Sequence, residues 1–136
     1  MIKREIETRI KPLVDILNKV PFIKTSASCK GHYDQEDYRK YNANIIFDVY
    51  QEDRANLEKL MKSVYSKTTP NWTLGSVEFY HRHYMIPKYK EIFREWQIVI
   101  EPFDISQPVE RKREITDKLI RLTISGVKDY LKNSKK

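Results

Sequence analysis

The sequence predicts an α+β fold of two layers, in which about four mainly antiparallel strands carry helices on one face. Apolar residues recur at steps of three and four in three long segments, which is the period of an amphipathic helix. Shorter segments between them are rich in β-branched and aromatic residues. The predicted order is α-β-β-α-β-β-α, and strands that follow one another in pairs favour an antiparallel or mixed sheet with helices on one side.

Three segments have helical character. The first covers residues 2–19, where Pro12 either kinks the helix or begins it anew, because proline lacks a backbone donor. The second covers 51–67 and is expected to pack through Ala55 and the larger apolar residues that follow it. The third runs from Pro108 to about residue 132 and is basic outside its apolar stripe.

Four segments have strand character, at residues 22–26, 42–50, 74–86 and 91–103. In the last of them Pro102 is expected to end the ladder, because proline cannot donate a hydrogen bond to a neighbouring strand. Residues 31–41 are polar without an apolar period and are predicted to form an exposed loop.

Length and composition limit the class of protein. The 136 residues predict a single domain over 1–136, and no apolar stretch is long enough to span a membrane. One cysteine and a charged N-terminal segment predict a cytoplasmic protein. The net charge of +7 favours anionic partners such as nucleic acid, nucleotides or phosphorylated metabolites. The alternative is a basic protein with no nucleic-acid ligand.

The segment TSASCKGH, residues 25–32, is the first candidate site. Small hydroxyl residues and a glycine after a strand predict a tight loop whose backbone N–H groups can hold an anion. The thiolate of Cys29 would be stabilised there by Lys24, Lys30 or His32. The alternative is a turn that ends the strand and buries an inert thiol.

Two stretches resemble one protein family. The stretch LVDILNKVPFIKTSASCKGH resembles the N-terminal signature of the wybutosine-synthesising tRNA methyltransferases, in which a strand leads into a Thr-Thr-Ser-Ser-Cys-Ser-Gly-Arg-like loop. The matching positions are Thr25, Ser28, Cys29 and Gly31. The stretch WQIVIEPFDIS resembles that family's strand with a Glu-Pro-Phe core, matched by Glu101, Pro102 and Phe103. Together they cover roughly a quarter of the chain.

The resemblance implies a shared fold and a cofactor, S-adenosylmethionine, used to methylate a modified guanosine in tRNA. It places the cofactor against Thr25, Ser26, Ser28, Cys29 and Gly31. If the chain is an enzyme, the implied reaction is methyl transfer to an RNA nitrogen, with His32 or Glu101 accepting the proton. His32 stands where the family has arginine, and Ser106 stands near a family histidine.

A second candidate site would bind zinc. Cys29 and His32 form a Cys-x-x-His pair, and His81 and His83 share a face of the predicted strand. These four residues would supply the nitrogen and sulfur ligands of a tetrahedral zinc site. The alternative is that the two histidines complete an apolar strand face or lie in solvent.

A third candidate site would bind nucleic acid. Tyr80, Arg82 and Tyr84 alternate along one face of the predicted third strand, with Trp72 before them and Lys88 after. Interleaved aromatic and basic side chains on an open sheet suit base stacking with phosphate contacts nearby. Cross-strand pairing is the alternative explanation. The basic segment ERKREITDKLIRL adds to the positive field, or is an ordinary solvated helix face.

Three functions therefore stay open. The first is an RNA-associated methyltransferase-like protein that binds S-adenosylmethionine. The second is a non-catalytic module on the same scaffold that binds nucleic acid, tRNA included, or a protein. The third is a small zinc-stabilised domain.

Overall fold

Three helices cover one face of a four-stranded antiparallel sheet, which confirms the predicted α+β class. The computed structural model describes residues 9–29, 43–49, 51–86, 91–102 and 108–134. The elements are α1 (Lys11–Leu17), β1 (Lys24–Cys29), β2 (Ala43–Asp48), α2 (Arg54–Thr68), β3 (Gly75–Ile86), β4 (Glu91–Pro102) and α3 (Val109–Ser134). Short 3-10 turns precede and follow α2, at Gln51–Asp53 and Thr69–Asn71.

The strands lie in the order β1-β2-β4-β3, and every neighbouring pair is antiparallel. Strands β2 and β3 are therefore parallel to each other, with β4 inserted between them. The connection from β2 through α2 to β3 is thus a split β-α-β arrangement. Strands β1 and β3 form the two edges of the sheet.

The first helix is shorter than the sequence predicts within the described residues. It begins at Lys11 with Pro12 in its first turn, which is the second of the two expected alternatives. Proline suits this position because its missing N–H has no partner there in any helix. Residues 2–8 of the predicted helix lie outside the described residues.

The core lies between the sheet and the helices. On β2 the fully buried residues alternate, and two of them, Ala43 and Ile45, lie opposite buried residues of β4, as expected for a sheet with one covered face. Phe47 lies opposite the half-buried Trp96. The apolar stripes of α2 and α3 pack on this face. The sheet contributes Ala43, Ile45, Phe47, Val77, Phe79, Ile98 and Ile100, and the two helices contribute Leu57, Leu60, Val64, Ile115, Leu119, Ile120 and Val127.

One core prediction is wrong. Ala55 is exposed rather than packed. It precedes the buried Leu57 by two residues, and two residues in a helix turn by about 200°, so Ala55 lies on the outward side of α2.

None of the described helices is long and apolar enough to cross a membrane.

Candidate nucleic-acid interface

The strand predicted over 22–26 continues further along the chain than expected, so the loop predicted after it is wrong for residues 27–29. Thr25–Cys29 belong to β1 and pair with β2, and the pairing shifts between Thr25 and Ala27 as in a β-bulge. In a strand successive backbone N–H groups point to opposite sides, so this segment cannot gather them around one anion. Gly31 and His32 lie outside the described residues.

Two predicted cofactor residues already have hydrogen-bond partners. The backbone N–H of Thr25 donates to Asn18 Oδ1 at 3.2 Å, and the Thr25 hydroxyl lies 2.9 Å from Asn18 Nδ2, which donates to it. The Ser26 hydroxyl donates to the Ile46 carbonyl oxygen at 3.3 Å, across the bulge. These hydrogen bonds connect β1 to the end of α1 and to β2, so Thr25 and Ser26 have a structural role.

The remaining members of this candidate site are partly described. Ser28 is half-buried opposite Ile45, and the Cys29 backbone pairs with Asn44. Glu101 is half-buried at the end of β4, opposite Ser76. Cys29 and Glu101 lie at the same end of the sheet on strands separated by β2, about 10 Å apart across the strands. Binding of S-adenosylmethionine at these residues stays a prediction.

Two of the four proposed zinc ligands lie too far apart to share one ion. Cys29 and His81 lie on opposite edge strands, three strand spacings or about 14 Å apart, which exceeds the span of one zinc ion's ligands. The His81 ring stacks on the Trp96 indole, with ring centroids 4.6 Å apart and planes 14° apart. Within the described part of the chain, no group of three or more His, Cys, Asp or Glu residues could hold a metal ion.

Arg82 and Tyr84 of β3 lie on a two-stranded ribbon, and Tyr80 lies just before it, where β2 still pairs with β4. β2 pairs with β4 only up to Trp96, whereas β3 and β4 continue to pair with each other as far as Ile86 and Glu91. Tyr80 is 53% exposed opposite Gln97, and the Arg82 and Tyr84 backbones pair with Glu95 and Phe93 on this ribbon. Lys88 lies outside the described residues. Base stacking on this strand stays a prediction.

Among the side chains that the structure describes, those on the open face of the sheet are mainly acidic. This face is opposite the helices, and its described charged side chains are Lys24, Asp48, Glu78, Glu95 and Glu101. Four of the five are therefore carboxylates. Like charges repel, so this face opposes the approach of a phosphate backbone.

The helical layer is basic. Helix α2 contains four basic residues and one acidic residue, and α3 contains seven basic and four acidic residues. The two helices thus carry six net positive charges, against a chain total of +7. Among the described residues, the positive charge is therefore concentrated on the side away from the open sheet face.

Six cations form one surface on this layer. Both helices pack on the same face of the sheet, so the side of each helix opposite its buried stripe points away from the sheet. On that side all six cations are exposed, and none is ion-paired within the described part of the chain. We call this the basic surface; its members are Lys59 and Lys62 of α2 and Lys118, Arg121, Lys128 and Lys132 of α3.

Some of the other charges beside this surface are neutralised locally. Lys67 of α2 pairs with Asp129 of α3 at 2.9 Å, and Arg111 pairs with Glu114 at 3.2 Å. Arg9 Nε lies 3.4 Å from Asp117 Oδ1, which is close enough for an ion pair. This buried oxygen atom has no hydrogen bond. The described acidic residues of these pairs are thus already engaged with cations outside the basic surface.

Four of the six cations, Lys59, Lys62, Lys128 and Lys132, belong to no motif that the sequence singles out. For the two on α3, Lys128 and Lys132, the sequence pattern that indicates them is their helical spacing. Lys118, Arg121, Lys128 and Lys132 follow one another at three, seven and four residues, which keeps them on one side of a helix. That Lys59 and Lys62 lie beside them depends on the contact between α2 and α3, which the sequence does not reveal.

A groove runs along the edge strand β3. Its volume is about 230 Å³, and it is lined by Tyr65, Thr68, Thr69, Trp72 and residues 75–78. The Tyr65 hydroxyl accepts a hydrogen bond from the Phe79 backbone N–H at 3.2 Å. Tyr65 therefore covers one donor of a strand edge that would otherwise be open to pairing.

Burial raises the pKa of Tyr65 above its ordinary value; the Phe79 N–H opposes this rise, and the carboxylate of Glu78 adds to it. A raised folded-state pKa means that Tyr65 contributes stability below about pH 10 and loses it as the pH rises through the folded pKa. We expect Tyr65→Phe to be less stable than the parent protein at pH 7 and the difference to shrink by pH 11. Urea unfolding at both pH values measures this, and a difference that grows with pH would contradict it.

No family model, no curated protein and no solved structure matches the chain. The resemblance to the wybutosine-synthesising methyltransferases accordingly stays a prediction.

Proposed function

We propose that this protein binds nucleic acid, RNA in particular, through the basic surface of α2 and α3. The observation that carries the proposal is the separation of charge between the two layers. Six exposed cations point outward from the helices, whereas four of the five described charges on the open sheet face are carboxylates. A polyanion is attracted to the first face and repelled by the second.

The expected binding energy comes mainly from counterion release. Each phosphate that a lysine or arginine neutralises frees a condensed cation, so the affinity falls as salt is added. Four to six contacts correspond to a slope of log K against log salt of about −4 to −5 for a duplex. Removing one contact should reduce that slope by about 1 and lower the affinity about eightfold at about 0.1 M salt.

The test is a fluorescence-anisotropy titration of a labelled, folded RNA against the protein over a range of salt concentrations. The variant Lys118→Gln with Arg121→Gln removes two neighbouring cations of the basic surface. The control variant, Lys19→Gln with Lys24→Gln, removes two exposed lysines near the start of β1 and lowers the net charge equally.

We expect the α3 variant to bind about sixtyfold more weakly at about 0.1 M salt, with a slope shallower by about 2. The control should stay within about threefold of the parent protein, because its lysines lie outside the basic surface. Equal losses in the two variants would mean that net charge alone drives binding. Saturable thermal stabilisation by S-adenosylmethionine would instead favour the methyltransferase that the resemblance implies.

A further inference from the structure

The described part of α2 and α3 presents no exposed aromatic side chain for stacking on a base; Tyr130 lines a groove with Lys59 but is half-buried. Among the described residues the exposed large hydrophobic side chains are Trp72 and Tyr80, and neither lies on α2 or α3. The tyrosines of these two helices are half-buried and packed: Tyr65 against Phe79 at 5.8 Å, and Tyr130 against Phe22 at 6.1 Å between ring centroids.

The cations of this surface are held on rigid neighbouring helices. From Lys118 to Lys132 the axis of α3 rises by about 21 Å. Helix α2 lies close beside α3, because the Ser63 hydroxyl donates to the Gly126 carbonyl oxygen at 2.6 Å. The backbone positions that carry these cations therefore have fixed spacings, which favours a ligand whose phosphates are also fixed in space.

We infer that the basic surface selects double-stranded over single-stranded nucleic acid and contacts it through the phosphates without reading its sequence. This inference rests on the proposed function. A duplex holds its phosphates in a stiff array with one charge per about 1.7 Å of axis, so about 21 Å of duplex carries roughly 12 charges on its two strands. Proteins that prefer single strands combine a basic groove with aromatic platforms for the bases, which this surface lacks.

The experiment compares ligands that carry similar numbers of phosphates. A 20-base-pair RNA duplex, a second duplex of scrambled sequence and a 20-base-pair DNA duplex are titrated against an unstructured 40-nucleotide strand. We expect each duplex to bind at least tenfold more tightly than the strand and the two RNA sequences to agree within about twofold. The RNA and DNA arms separate recognition of A-form shape from recognition of phosphate alone.

Two variants locate the contact. Lys128→Gln with Lys132→Gln should weaken duplex binding by more than tenfold, whereas Trp72→Ala with Tyr80→Ala should leave it unchanged. Circular dichroism and thermal melting establish that each variant is folded.

Tighter binding of the 40-nucleotide strand, or loss of binding in the Trp72 and Tyr80 variant, would overturn the inference while leaving nucleic-acid binding intact. Failure of every ligand to bind at about 50 mM salt would instead overturn the proposed function itself.

Discussion

Phe47→Ala is expected to lower the free energy of unfolding by about 3–5 kcal/mol, which is the usual cost of removing a fully buried phenylalanine from a core. At this chain length the loss corresponds to a fall in Tm of roughly 10–20 °C. Thermal and urea unfolding measure it. Since a protein of ordinary stability can fail to fold after such a loss, Phe47→Leu, at about 1–2 kcal/mol, provides a milder variant.

The large effect follows from what Phe47 contacts. Its ring meets Phe79 edge to face with centroids 6.4 Å apart, and Phe79 meets Tyr65 in the same manner at 5.8 Å. This aromatic chain joins β2 and β3 to α2, and so fixes one helix of the basic surface to the sheet. The matched control is Val99→Ala, on the open face and half-exposed, which should cost below about 1.5 kcal/mol. Equal losses would contradict the placement of the core on one face.

Gly126→Ala is expected to destabilise the protein by about 1–3 kcal/mol, although alanine favours a helix over glycine by about 1 kcal/mol. A Cβ atom at this position would lie 2.6 Å from the Val64 Cα and 3.0 Å from the Ser63 carbonyl oxygen. Both neighbours are backbone atoms of α2, so the helices must move apart to admit the methyl group.

The test is whether Gly126→Ala lowers or raises the free energy of unfolding. Ser125→Ala changes the neighbouring, half-buried residue and should be neutral or slightly stabilising, because it improves helix propensity at a position less closely packed against α2. Urea unfolding of the two variants compares them directly. Stabilisation by Gly126→Ala would show that α2 and α3 are not in close contact, and the fixed spacing of the basic surface would lose its structural basis.

Much of the fold follows from sequence period. The apolar residues of β2, β4 and α3 repeat with the period of their secondary structures. Pro12 and Pro102 lie near the ends of their elements because proline has no backbone N–H to donate. Residues 27–29 depart from expectation because pairing with β2 outweighs the turn propensity of Ser28. The bulge near Ser26 also depends on that pairing, so no local pattern could reveal it.

The candidate site was less accessible from sequence. The residues that local motifs favour include Thr25 and Ser26, whose hydrogen bonds serve the fold. A surface assembled from two helices depends on which helices are neighbours. Here α2 and α3 are neighbours because Gly126 contacts Ser63 and Val64 closely. Likewise, the acidic character of the open face emerges only when the strand order is known, because its carboxylates come from three strands.

Contact between RNA and the basic surface can be tested directly by the amide chemical shifts of the ¹⁵N-labelled protein during titration with a 20-base-pair RNA duplex. We expect the largest changes in chemical shift near Lys59 and Lys62 and along 118–132, with little change in β2 and β4. The largest changes on the open sheet face, at 44–48 and 95–101, would contradict it.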